Sequence, residues 1–124
     1  MAADELNALA DAHPACRVAA FADLAAGMVL VASGHGATRR EALDELCAEG
    51  RDLFAGSGGG DGPPDGMAIA ADARGVRLFL RGRAVPDDML CCDCTPDLDL
   101  AAFLPAANAC LDSLSPPDDE RAAP

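Results

Sequence analysis

The run "CCDC" puts Cys91, Cys92 and Cys94 within four residues, a density of thiols that could hold zinc or an iron–sulfur cluster, or serve as a redox pair. Thiolate metal sites usually draw on CxxC-type turns, where two sulfurs reach one ion, whereas neighbours in an extended strand point to opposite faces. Cys92 and Cys94 can share a face and Cys91 cannot. A complete site would need help from His13, His35, Cys16 or Cys110, which are scattered along the chain. The competing reading is that these cysteines are small buried hydrophobes, a common use of the free thiol.

Other chemistry is harder to assemble. His13 precedes a proline at a helix end, and His35 lies in "SGHGAT", a turn between glycines, beside Ser33. Neither has a nucleophile or acid at a spacing that would make a triad. The segment "GSGGGDGPPDG" is glycine-rich, but a phosphate-binding P-loop needs GxxxxGK[ST], and the chain contains no lysine. It reads as a flexible connection. In "RGVRLFLRGR", four of the nine basic residues are gathered between Arg74 and Arg83. On a strand Arg77, Phe79, Arg81 and Arg83 would share one face, opposite Val76, Leu78 and Leu80. That face is either a partner surface, since arginine and aromatic residues favour interfaces, or a half-exposed face whose arginines pair with acids on a covering helix.

Bulk composition limits the partners. Twenty-one acidic against nine basic residues give a formal charge of -12, which repels nucleic acid and anionic membranes. No apolar run approaches the roughly 20 residues that a membrane-spanning helix needs. The N-terminus "MAADELNALADAH" carries acids where an export signal has a basic start, so a cytoplasmic location with reduced thiols is expected. At 124 residues one core is expected, over positions 1–115, followed by an acidic, proline-rich tail at 116–124.

The elements that must position these residues follow from periodicity. Ala3 to Ala12 reads as a helix ended by Pro14. In "FADLAAGMVLVASG" the charge at Asp23, Gly27 and the run "MVLV" argue for two strands with a bend, the second buried on both faces. "ATRREALDELCAEGRDLFAG" carries a Thr38–Glu41 capping box, apolar positions at helical spacing and a stop at Gly56. Gly50, on the apolar stripe, is either tolerated drift or a point where another backbone packs close. "GMAIAAD", "GVRLFLRGR" and "DDMLCCDC" read as three more strands. A last helix starts from a Thr95 cap with Pro96 in its first turn, and Pro105 should kink or split it. The order αββαβββα, with short turns inside each strand group, predicts an α+β fold with a five-stranded antiparallel sheet flanked by helices.

This order over Asp4 to Ser115, together with "ADLAAGMVLVAS", resembles the roadblock family, the dynein light-chain type domain related to bacterial regulators of small Ras-like GTPases. In that family's first hairpin a strand ending in Asp is followed by a short turn, a Gly and an apolar strand. The "RLFLRGR" strand is compatible with the pattern. The resemblance implies a long second helix on one sheet face and the terminal helices on the other. It further implies a homodimer joined through that helix and the third strand, which would put Leu46, Gly50, Leu53, Met67 and Ile69 at the interface. The glycine–proline loop between those two elements departs from the family pattern. The function expected is that of a non-enzymatic, homodimeric interaction module, with no cofactor, that binds a small GTPase or its complex. The alternative is a metal-binding or thiol-based redox sensor built on Cys91, Cys92 and Cys94.

Overall fold

Phe21 to Gly34 folds as a hairpin in the computed structural model, which describes residues 2–34, 38–56 and 66–115. Strand β1 (Cys16–Asp23) pairs antiparallel with β2 (Met28–Ala32), Asp23 facing Met28 across the turn. The Asp23 carboxylate accepts the Ala26 N–H at 3.2 Å, and Gly27 takes a φ of 67° that a side chain would resist. Helix α1 (Ala2–Ala12) precedes this hairpin.

Helix α2 (Arg40–Gly56) then crosses to β3 (Met67–Asp72), β4 (Gly75–Arg81) and β5 (Asp88–Cys94), and α3 (Leu100–Leu114) follows. The sheet order is β2-β1-β5-β4-β3, with every neighbouring pair antiparallel. The α+β fold and five-stranded antiparallel sheet thus form as the element order required. β5, the last strand made, inserts between the two strand groups and joins them.

Side-chain alternation splits the core into two layers. Leu78, Leu80, Leu90, Cys92 and Cys94 pack with Leu6 and Leu9 of α1 and Phe103, Ala107 and Leu111 of α3. Val18, Ala20, Ala22, Phe79, Met89 and Cys91 pack beneath Leu43, Leu46, Cys47 and Phe54 of α2. The sheet is therefore covered by two helices on one side and by one on the other.

Three local expectations are corrected. β2 is not buried on both faces: it lies at the sheet edge, and the pairing skips Leu30, so Leu30 bulges outward and is 55% exposed, with Met28 also exposed. α2 begins at Arg40, its first bond running from the Leu43 N–H to the Arg39 carbonyl, so Thr38 lies outside the cap position. α3 is capped by Asp99, whose side chain accepts the Ala102 N–H at 3.3 Å, and it runs unbroken through Pro105. Pro105 sits on the exposed side, where water can satisfy the Ala101 carbonyl that proline leaves without a donor. The segments 57–65 and 116–124, read as a flexible connection and an acidic tail, lie outside the described residues, as does His35.

Candidate interaction surface

On the arginine-rich strand Arg77, Phe79 and Arg81 share the α2 face, opposite Leu78 and Leu80, but they do not form an open surface. Arg77 is held under α2: its Nε and one Nη grip the Glu49 carboxylate at 2.8 and 2.9 Å, while its Nη atoms reach Asp72 of β3 at 3.0 and 3.2 Å. The Arg77 bonds hold the Asp72 carboxyl well below the usual carboxylate range. Phe79 is fully buried beneath α2 and is no partner contact. Arg81 lies over the Phe54 ring, 5.4 Å from its centroid, and its Nε donates to the Pro86 carbonyl at 2.8 Å. Arg83 lies beyond the end of β4, outside strand alternation, and pairs with Asp112 of α3 at 2.6 Å. The helix-paired reading of the strand thus describes Arg77, and the common partner face of Arg77, Phe79, Arg81 and Arg83 does not form.

A charged cleft that sequence reasoning missed opens beside Arg77. It has a volume of about 450 Å³ and lies between α2, which contributes Ala42, Glu45, Leu46 and Glu49, and the sheet, which contributes Arg17, Arg74, Arg77 and Asp93. Arg17 reaches it because of a bulge. Cys16 pairs with Cys94 and Val18 with Asp93, which leaves Arg17 as the extra residue between them. Strict alternation would turn Arg17 toward α1 and α3; the bulge instead lets it approach Asp93 at 3.4 Å and donate to the Arg74 carbonyl. Three guanidiniums and three carboxylates therefore line one opening. Its charged lining, with no Ser, Thr, Cys or His among the described lining residues, suits the cleft to charged recognition.

The thiols are buried and unpaired. All six are free, and Cys91 faces α2 while Cys92 and Cys94 face α1 and α3. Burial pushes the Cys91 and Cys47 thiols up, and Cys110 to about 11. Among the described residues, no group of three His, Cys, Asp or Glu side chains is arranged to hold a metal ion. His13 packs edge-on against Phe103, with ring centroids 5.1 Å apart, closing the end of α1 over the core. Ser33, read as a turn residue, is buried, and its Oγ accepts the Ala19 N–H at 2.9 Å, continuing the ladder past the end of β2.

The same architecture occurs in solved structures. A Roadblock/LC7 domain from Streptomyces avermitilis is 18% identical, with a TM-score of 0.73 over 92% of this chain and 94% of that one. The chain has the roadblock fold. MglB from Myxococcus xanthus is also similar, at 10% identity and a TM-score of 0.71 over 92% of this chain and 91% of that one. An MglB with a tetrameric arrangement is 16% identical, with a TM-score of 0.69 over 92% of this chain and 85% of that one. No protein-family model matches the sequence, and neither does a curated protein.

On this roadblock fold, the residues expected at a dimer interface divide in two. Leu46 and Gly50 point into their own sheet: a Cβ on Gly50 would stand 2.7 Å from Phe79 Cδ1 and 2.9 Å from Met89 Sδ. The glycine does mark a close approach, but of side chains within the chain, because the apolar stripe of α2 is spent on covering its own sheet. Leu53 and Met67 are half-buried and Ile69 is 40% exposed, on a strand that forms an edge of the described sheet. No helix among the described residues is long and apolar enough to cross a membrane.

Proposed function

We propose that the chain is a cytoplasmic, self-associating regulatory module that binds a small Ras-like GTPase or its complex and works by contact, without chemistry or a cofactor of its own. The observation that carries this reading is the β3 edge. Among the described residues it offers an unpaired row of backbone groups, with the exposed Ile69 on the sheet face opposite α2, so a second copy can continue the sheet across a two-fold axis. The family resemblance supplies the GTPase. A paired sheet and two α2 helices would form a platform that favours one conformation of that partner.

Light scattering and native mass spectrometry test the assembly. The expected species has about twice the 12.6 kDa chain mass, is reduced to monomer by Ile69→Arg, and is unaffected by Leu30→Arg on the opposite edge. A monomeric wild type, or dissociation by the Leu30 change alone, would refute the β3 pairing. Small Ras-like GTPases loaded with GDP or a GTP analogue are the probes for partner binding, and retention of neither form would sink the GTPase assignment.

A further inference from the structure

The end of the sheet that builds the charged cleft also brings two thiols face to face. Cys16, the first residue of β1, is the register partner of Cys94, the last residue of β5. The Thr95 N–H donates to the Ala15 carbonyl at 2.8 Å. That bond brackets the Cys16–Cys94 pair from outside, which makes it a non-hydrogen-bonded pair of an antiparallel ladder. In such pairs the Cα atoms lie about 4.5 Å apart with the side chains drawn together, inside the span of about 4.4 to 6.8 Å that a disulfide requires. Both side chains belong to the core layer under α1 and α3.

We propose that Cys16 and Cys94 are an oxidative modification site, forming a cross-strand disulfide when the protein meets a two-electron oxidant such as a peroxide or an azo compound. Two S–H bonds break and one S–S bond forms. Two electrons and two protons pass to the oxidant, a peroxide giving water and an azo compound its hydrazine. The bond joins the first strand to the strand that inserts beside it, and it flanks Arg17 and Asp93, so oxidation locks one wall of the cleft. Cys92 also neighbours Cys16, but it stands opposite Ala19 and reaches Cys16 only diagonally. Hydrogen bonding to Cys92 and burial push the Cys16 thiol up to about 12. The reaction is therefore slow and proceeds as the strand ends open.

The test is to treat the whole chain with the azo oxidant diamide, quench, denature, and count remaining thiols by alkylation and intact mass. Wild type and Cys92→Ala should each lose two thiols. Cys16→Ala and Cys94→Ala should lose none, while melting cooperatively under reducing conditions to show that they fold. The oxidised wild type should melt about 10 °C higher than the reduced form. Persistence of all six thiols in the wild type would overturn the proposal. So would a loss that survives Cys94→Ala and vanishes in Cys92→Ala.

Discussion

The two faces of the sheet solve the same burial problem differently. The face under α1 and α3 is packed from four thiols, leucines and Phe103, and two helices share its cover. The face under α2 has one helix, and that helix approaches closely because Gly50 removes a side chain above Phe79 and Met89. Where α2 ends its apolar contact, the Arg77–Glu49–Asp72 network and the cleft begin. Redundant cover can be assembled from small, interchangeable side chains. A single helix needs a close fit and leaves a charged border that a partner can reach.

The largest test bears on both faces together. All six thiols are raised above the ordinary value of 9.0, through burial at Cys47, Cys91 and Cys110 and through thiol–thiol hydrogen bonds with burial at Cys16 and Cys94; at Cys92 a hydrogen bond from Cys16 is the largest single influence and pulls down, but burial and the neighbouring Cys94, Cys91 and Cys110 together raise it. Groups with raised folded values leave stability intact below pH 9 and remove it as the pH climbs toward those values, because the unfolded chain then releases protons that the folded chain keeps. Each thiol can cost up to about 1.4 kcal/mol per pH unit, and a whole domain holds only about 5–15 kcal/mol. Cooperative loss of circular dichroism between pH 9 and 11 is expected. With no lysine or tyrosine in the chain, the thiols dominate that window. A fold that survives pH 11 would show that the thiols are more accessible than the packing implies.

A second change separates the faces. Gly50→Val drives a branched side chain into Phe79 and Met89 and should cost about 3 kcal/mol in chemical denaturation. Because this clash lies within one chain, the loss should not depend on protein concentration. A strong dependence would return Gly50 to the subunit interface. Smaller is Arg77→Leu, which strands the half-buried Glu49 carboxylate, for about 1–2 kcal/mol in the same denaturation. Smallest is Asp99→Ala, which removes the α3 cap for about 1 kcal/mol, and an unchanged denaturation midpoint would show that α3 is held by Phe103 and Leu111 alone.

Much of this was legible in local pattern. The hairpin at Asp23 and Gly27, the element order, and the separation of Cys91 from Cys92 and Cys94 follow from periods of two and 3.6 residues and from turn chemistry, which act over short spans. The Thr95 cap failed because Asp99 competes for the same role four residues later, closer to the apolar stripe that packs. The common arginine face failed because alternation ends with β4 and because Phe79 is worth more in the core than at the surface.

The sequence by itself determined which segments become strands and helices, which side of each is apolar, and that the chain carries a formal charge of -12. These properties belong to neighbours along the chain. Only the tertiary structure decided that Arg17 bulges into a cleft, that Gly50 serves its own sheet, that Cys16 meets Cys94, and that Arg77 is bound on two sides. Each of these depends on residues brought together from distant parts of the chain. Register and helix placement are set by the packing of the whole core, and a shift of one residue in β5 would reassign them all.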